Sequence, residues 1–331
     1  MSSMYYFFFA VVLLSAELLY FRIARSYKIL DHPNTRSLHE RPTIRGGGII
    51  FYLGAVLFYA ITLRPSPLFM VSLTLVSVVG FIDDVRNLNI IVRFLVQFMA
   101  ITLMCFDMDM SATSNFVIIL IFIVSVGTLN TFNFMDGING LTGGYGLVAL
   151  GSLLYIDSYK IHFIESDFML TVIMALLIFC YFNFRKKAVC FAGDVGSLSI
   201  GFIVIFLIVK LITTTGNYAF IFLLSVYGVD SLLTIIYRLF RKENIFTAHK
   251  LHLYQVLVNT RGISHVKMSI VYMLLQLVIN VILIMCMDFQ IVHQFLIGSC
   301  IASMLGVLYV LLKSQFLKDR FKMHVTQRPL S

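Results

Sequence analysis

The sequence predicts an all-α protein that crosses a membrane about eleven times, and three observations predict it. Hydrophobic residues make up 60% of the 331-residue chain and charged residues only 12%, about half the charged share of an ordinary soluble domain. The mean hydropathy is +0.93, which makes lipid the fitting solvent for most side chains. The apolar residues also fall into runs of membrane-spanning length, with cores at 4–21, 47–63, 67–82, 90–106, 116–132, 141–156, 168–184, 198–212, 218–236, 268–287 and 291–312.

The first run has no basic residue before it and no small-residue cleavage pattern after it, so it is expected to stay as an anchor. The run at 47–63 opens on a triple glycine. Two runs are irregular: 90–106 contains Arg93 and Gln97, and 141–156 is short and begins inside a glycine-rich segment. Orientation follows from Lys and Arg, which concentrate in cytoplasmic loops. With the N-terminus outside and the C-terminus cytoplasmic, the basic residues gather in 22–46, 83–89, 185–197, 237–267 and 313–331, and Arg93 lies just inside a helix. Only Arg64, Lys160 and Lys210 are left for the opposite side, whose loops carry Asp107, Asp109, Asp157, Glu165, Asp167 and Asp288. No repeat, linker or low-complexity segment divides the chain, so residues 1–331 are expected to form a single membrane domain.

The net charge of +9 then reads as a topology signal and an attraction to phosphate groups and anionic lipids, rather than to nucleic acid. The five cysteines are odd in number, lie in or beside apolar helices and lack metal-ligand spacing, which makes them small hydrophobes. Glu17, Gln97 and Lys210 are the only candidates for polar groups at mid-membrane depth, and they do not cluster. A transporter would need such groups clustered at mid-membrane depth. The polar residues gather instead at the cytoplasmic helix ends.

Asp83 and Asp84 close the third run in GFIDDVRNL. Two adjacent carboxylates at a helix C-terminus repel each other and the helix dipole unless a cation or proton resolves the charge; a solvated acidic turn paired with Arg86 or Arg93 is the plainer account. Asn130, Asn133, Asp136 and Asn139 recur every third residue in NTFNFMDGINGLTGG, and Gly137, Gly140, Gly143 and Gly144 then release the chain into a loop. A helix cap explains one or two of those glycines but not four polar residues in phase. Asp194 stands between Gly193 and Gly196 at the start of the eighth run, where a carboxylate can approach a metal, and Ser197 and the following amides can face phosphate oxygens. An aspartate N-cap is the alternative there. His249 and His252, with Lys250, Tyr254 and Gln255 in AHKLHLYQ, can share a helix face and bind phosphate or move protons. In DHPNTRSLHERPTIRGGG, Arg36, His39, Arg41 and Arg45 precede the triple glycine, a plausible site for a phosphate or lipid head group, or simply a positive anchor.

The ordered set D-x-P-x-x-R-x-x-H, FIDD, N-x-x-N-x-x-DG-x-x-GL, GD-x-GS-x-x-x-GF and a histidine cluster after the ninth run resembles the polyprenyl-phosphate N-acetylhexosamine-1-phosphate transferase family over about residues 31–260. That family includes the phospho-N-acetylmuramoyl-pentapeptide translocase and the enzymes that start enterobacterial common antigen and O-antigen. The resemblance implies transfer of a HexNAc-1-phosphate from a UDP-N-acetylhexosamine to undecaprenyl phosphate, releasing UMP, at the cytoplasmic face of a bacterial inner membrane. It implies Mg²⁺, or Mn²⁺ in its place, held by Asp194 with support from Asp136, and a catalytic set of Asp83, Asp84 and Asp136, with Asp83 as base. It further implies that Asn133, Asn139, His249, His252, Arg36 and Arg45 contact substrate and that Phe191 stacks on uracil. A homodimer is suggested as well. Two departures stand out: Asn139 occupies a position where many members have an aspartate, and HKLH followed by LYQ replaces a run of histidines, which favours the O-antigen-initiating branch over the peptidoglycan translocase.

Overall fold

A computed structural model of the chain describes residues 3–32, 42–108, 110, 113–245, 247 and 249–326, with side chains to residue 315. Every predicted apolar run folds as a helix. These are α1 (Ser3–Ser26), α2 (Ile49–Thr62), α3 (Pro67–Val85), α4 (Ile90–Asp107), α5 (Asn115–Met135), α6 (Leu141–Tyr159), α7 (Ser166–Asn183), α8 (Gly193–Thr215), a 3₁₀ turn Tyr218–Leu224 running into α9 (Ser225–Phe240), α11 (His265–Met285) and α12 (Ile291–Thr326), with a short α10 (Leu253–Arg261) between α9 and α11. Among the described residues nine of these helices, counting Tyr218–Phe240 as one, are long and apolar enough to cross a membrane, so the chain is an all-α polytopic membrane protein. The two eleven-run predictions not among the nine are α2, which has only 14 residues, and the glycine-rich α6.

The helix starts follow local chemistry. Ser66, Asn89, Ser114 and Ser264 each accept a hydrogen bond from a first-turn amide, and Pro67 takes the first helical position of α3, where no amide partner is needed. α8 is apolar on all sides, which suits only a helix enclosed by others. It is 94% buried over its most apolar window and packs against α2, α3, α5 and α6.

Small residues let this pillar's neighbours approach closely, as expected where no hydrophobic drive operates between helices in lipid. Ser77 and Ser199 share a hydrogen bond of 2.7 Å between α3 and α8. A Cβ on Gly80 would lie 2.7 Å from the Asp194 carbonyl oxygen, and one on Gly196 would lie 2.5 Å from the Gly48 Cα. Further along α3 and α8, Phe69 packs with Phe206 at 4.1 Å between ring centroids and with Phe168 edge-on at 5.6 Å. A buried polar chain ties α6 to α11: Tyr145 donates to Gln276 at 2.6 Å, Gln276 to Asn280 at 2.7 Å, and Asn280 to Ser152 at 2.9 Å.

The two ends of the bundle differ. At one end the acidic residues of the predicted outside loops are individually paired: Tyr6 with Asp167, Arg64 with Glu165, Ser66 with Asp107, and Lys160 with Asp288 at 3.2 Å. At the other end lie the C-terminus of α3, the turn after α5, the segment preceding α8 and the α9–α10 connection. Asp109 lies outside the described residues.

The α2–α8 contact leaves no room for a side chain. Gly196→Ala is expected to lower the melting temperature of the solubilised protein, at a cost of about 1–3 kcal/mol from overpacking. Gly151→Ala, whose Cβ meets nothing within 4 Å, is expected to leave stability unchanged or raise it by about 0.5–1 kcal/mol. Equal melting temperatures for the two variants would contradict this packing.

Candidate active site

The site is built around the N-terminus of α8, and a backbone strap brings its parts together. Ile44 bridges Cys190 in parallel, Phe191 donates its amide to the Ile44 carbonyl at 2.8 Å, and the amides of Gly47 and Gly48 return bonds to the carbonyls of Phe191 and Ala192 at 2.8 and 3.0 Å. Asn183 secures the strap from α7 by donating to the Cys190 carbonyl at 2.8 Å. The close approach that the triple glycine requires is therefore made by the protein's own 190–196 segment. Gly193, at φ +72°, turns the strap into the helix; a Cβ there would sit 2.5 Å from Asp84 Oδ2 and 2.7 Å from the Gly46 nitrogen.

Asp84 is the centre of this junction. Its carboxylate accepts from Arg45 Nε at 2.6 Å, from the Asp194 amide at 2.9 Å and from the Val195 amide at 3.0 Å. The next carboxylate around, Asp136, accepts from the Gly193 amide and from Thr142 Oγ1 at 2.6 Å. The first amides of α8, expected to face phosphate oxygens, are thus taken by two carboxylates from other helices, which cap the helix from outside. Burial pushes the Asp136 carboxyl up to about 6, and the Thr142 hydroxyl partly offsets it. Asp84, expected in the catalytic set, has both oxygens engaged in holding α3 to α8.

The remaining carboxylates face one another. Asp83 accepts from the Leu88 amide at 2.6 Å, pairs with Arg93 at 2.7 Å and is hydrogen-bonded to the Asp194 side chain. Asp194 accepts from Asn133 Nδ2 at 2.9 Å, and the Arg45 and Arg93 guanidiniums lie 3.6 and 4.0 Å from its Oδ2. Asn133 also donates to Ser197 at 3.3 Å. Burial works against the charge on Arg45, but Asp84 and Asp194 outweigh it and hold its pKa above the ordinary value. Tyr20 fixes the arginine's backbone from α1, donating to its carbonyl at 2.6 Å.

The period-three series divides. Asn133 and Asp136 join the cluster, whereas Asn130 donates to Gln97 at 2.9 Å and Asn139 to the carbonyls of Arg185 and Lys186 at 2.9 and 3.3 Å. α5 ends at Met135, so the helical phase stops before Asn139 is reached. Asn139 is buried and secures a turn instead of meeting the carboxylates. Phe191 is half-buried in the strap, two residues before Gly193. Arg36, His39 and Arg41 lie outside the described residues.

The histidines do not share a helix face. His252 is the N-cap of α10, its amide donating to Gln255 Oε1 at 3.3 Å, and His249 precedes it with the two rings 5.0 Å apart. α10 docks on the turn after α5: Tyr254 donates to the Phe134 carbonyl at 3.1 Å, and a Cβ on Gly137 would lie 3.2 Å from Tyr254 Cζ. That contact brings the histidine segment against the Asn133–Asp136 turn. Burial, reinforced by the charges of His252, Arg238 and Lys313, lowers His249 to about 4.

Sequence reading missed the polar residues behind these histidines. Asp230, Arg238 and Lys313 are all buried, and Asp230 lies within an apolar run, so Glu17, Gln97 and Lys210 are not the only candidates there. Arg238 ties down the α9–α10 connection by donating to the carbonyls of Asn244, Ile245 and Thr247 at 2.5, 3.2 and 3.2 Å. The signal was present: a single aspartate inside the apolar stretch YGVDSLL.

Residues 66–212 match the family model for Glycosyl transferase family 4. The chain is 27% identical over 269 residues to a probable undecaprenyl-phosphate N-acetylglucosaminyl 1-phosphate transferase of Bacillus subtilis (strain 168), covering 75% of this chain and 74% of that protein. It is 32% identical over 203 residues to a phospho-N-acetylmuramoyl-pentapeptide-transferase of Wolbachia sp. subsp. Brugia malayi (strain TRS), covering 52% of this chain and 61% of that protein. With an undecaprenyl-phosphate alpha-N-acetylglucosaminyl 1-phosphate transferase of Escherichia coli (strain K12) the identity is 25% over 215 residues, covering 59% of this chain and 58% of that protein. The match thus spans less than two thirds of the last two relatives.

Two outcomes test the geometry. Asp84→Asn keeps the shape but loses the Arg45 ion pair and one helix-capping bond, so it should destabilise the protein by about 2–3 kcal/mol; an unshifted thermal melt would refute the junction. His249 is charged less readily in the folded protein than in the unfolded chain, so its contribution to stability is full above the unfolded value of about 6.5 and is lost as pH falls toward about 4. Discounted for its half-exposed ring, the loss is about 1 kcal/mol. His249→Gln should therefore narrow the gap in melting temperature between pH 8 and pH 5.

Proposed function

Because the chain belongs to the polyprenyl-phosphate N-acetylhexosamine-1-phosphate transferase family, we propose that it transfers a HexNAc-1-phosphate from a UDP-N-acetylhexosamine to undecaprenyl phosphate on the cytoplasmic side of a bacterial inner membrane. The product starts a lipid-linked glycan such as O-antigen or capsule. The observation that carries this reading is the convergence of Asp83, Asp84, Asp136, Asp194 and Asn133 with Arg45 and Arg93 at one end of the bundle, from four separate parts of the chain.

In the reaction an oxygen of the lipid phosphate forms a bond to the β-phosphorus of the donor, the bond from that phosphorus to the bridging oxygen breaks, and UMP leaves. Two polyanions must meet, so neutralising their charge dominates the lowering of the barrier. Arg45 and Arg93 supply fixed positive charge beside the carboxylates. Asp83, close to both arginines, is the base for the lipid phosphate. His249 and His252, across the Asn133–Asp136 turn, contact substrate phosphates, and Phe191 gives the uracil a ring to stack on. A polyprenyl tail needs a lipid-facing groove, which explains why such an enzyme is embedded in the membrane.

The residues fit a hard divalent cation. Asp83 and Asp194 carboxyl groups approach within hydrogen-bonding distance, which requires a proton or a cation between them. Among the described residues no three acidic or histidine side chains already surround one point, and Mg²⁺ needs no such cage, since it keeps several waters and binds through one or two carboxylates. Asp194, which meets Asp83 carboxyl to carboxyl, would hold it, with Asp136 in support. Bound there, Mg²⁺, or Mn²⁺ in its place, supplies further charge neutralisation across the diphosphate.

The test is UMP release by purified protein given undecaprenyl phosphate, Mg²⁺ and a panel of donors that includes UDP-GlcNAc, 6-deoxy-HexNAc nucleotides and UDP-MurNAc-pentapeptide. One UDP-HexNAc should support release, and Asp194→Asn should abolish it without altering the melting temperature. Turnover with the pentapeptide donor alone would move the protein to the peptidoglycan translocase branch. Undiminished turnover in Asp194→Asn or in excess chelator would refute the metal assignment.

A further inference from the structure

Behind the histidine segment, one carboxylate gathers four donors from three helices. Asp230 Oδ1 accepts from the Leu253 amide at 3.0 Å and lies 3.3 Å from both Thr234 Oγ1 and His252 Nδ1, while Oδ2 accepts from Tyr272 at 2.7 Å. α12 closes the back of this cluster. Tyr309 shares a 2.7 Å hydrogen bond with Thr234, and Lys313 is bonded to Tyr309 and sits 4.6 Å above the Tyr237 ring. Both Asp230 and His252 are almost wholly buried, at 3% and 1% exposed.

The amide and the phenol can only donate, or donate best, to a carboxylate, so Asp230 acts here as an acceptor. The hydrogen between it and His252 therefore belongs to Nδ1. The other ring nitrogen, Nε2, is buried and has no partner among the described residues. Leaving such an atom unpaired is costly, a penalty that a hydroxyl donor on a ligand removes. The ring lies 6.2 Å from that of Phe134 and 5.0 Å from that of His249, beside the turn that carries Asn133 and Asp136.

We propose that Asp230 is a positioning residue for the transfer reaction: it holds the His252 imidazole in the Nδ1–H form, and so keeps the Nε2 lone pair ready to accept a hydroxyl hydrogen of the substrate. This rests on the transferase reading above. Carboxylates orient catalytic and metal-binding imidazoles by the same bond elsewhere, and loss of the carboxylate mispositions the proton without disturbing the fold. Asp230 touches no reacting atom; it acts through His252, while its bonds to Leu253 and Tyr272 fix the start of α10 at the same time.

The experiment combines spectroscopy and kinetics on the full chain in lipid nanodiscs. With ring-¹⁵N histidine, and His252 assigned by its loss in His252→Gln, the wild type at pH 8 should show His252 protonated on Nδ1, and Asp230→Asn should shift population to the Nε2–H form. Asp230→Asn should lower kcat for UMP release about 10- to 100-fold, with KM for the UDP-sugar within about threefold. Added to His252→Gln, it should cost no more than about twofold further, because both changes remove one interaction. Losses that multiply, or a wild-type His252 in the Nε2–H form, would overturn the proposal. The wild-type spectrum decides even if Asp230→Asn fails to fold. A wild type that releases no UMP from any donor while showing the Nδ1–H form would instead count against the transferase reading alone.

Discussion

The structure depends on one buried carboxylate meeting the start of one helix. Asp84 leaves the end of α3, receives two amides of α8 and the guanidinium of Arg45, and so binds three separate stretches of chain at a single point. A helix C-terminus is a poor place for negative charge. Here the cost is offset by the N-terminus of a second helix, whose dipole has the opposite sign, and by an arginine held by Tyr20. The other groups of the site take their positions from this tie: Asp83 because it precedes Asp84, Asp194 because it stands in the capped turn, and Arg93 because α4 follows directly from α3.

Glycine makes the tie possible. A side chain at Gly193 would strike Asp84, and one at Gly196 would strike α2. The sequence shows these glycines beside a carboxylate and a triple glycine far from both, and each cluster alone reads as a cradle for an anion. Brought together, they are the two sides of one backbone contact, and the positive end of α8 faces protein oxygens. The charge that meets a phosphate must then come from side chains, chiefly Arg45 and Arg93.

The fold was legible because lipid imposes a uniform rule: every spanning segment must be apolar and must satisfy its own backbone. That rule located every long apolar helix, irregular ones included, although α12 runs on past its apolar stretch to Thr326 and the short α10 lies in no such run. The carboxylates Asp83, Asp136 and Asp194 were legible for the converse reason, since polar residues next to apolar runs stand out. Direction was not legible. Asn130, Asn133 and Asn139 look equivalent at a spacing of three, yet one joins Gln97, one joins Asp194 and one pins Arg185, because the helix ends between the second and third. Asp230 was hidden by its surroundings: one acidic residue hardly alters the hydropathy of a long apolar run, although its isolation there is the sign of a buried partner.

Unused hydrogen-bonding capacity is what separates supporting groups from working ones here. Asp84, Asn139, Arg238 and Asp230 have their polar atoms engaged within the protein, and each joins elements distant in sequence. Asp194 meets the Asp83 carboxyl across a contact that a proton or a cation must bridge, and His252 keeps a buried ring nitrogen with no partner among the described residues. Desolvated polar atoms of this kind are costly unless something external completes them. The two lie on either side of the turn that bears Asn133 and Asp136, one suited to a cation and the other to a hydroxyl hydrogen. A nucleotide-sugar bound to a divalent cation presents both, a positive centre and, on the same molecule, hydroxyl groups.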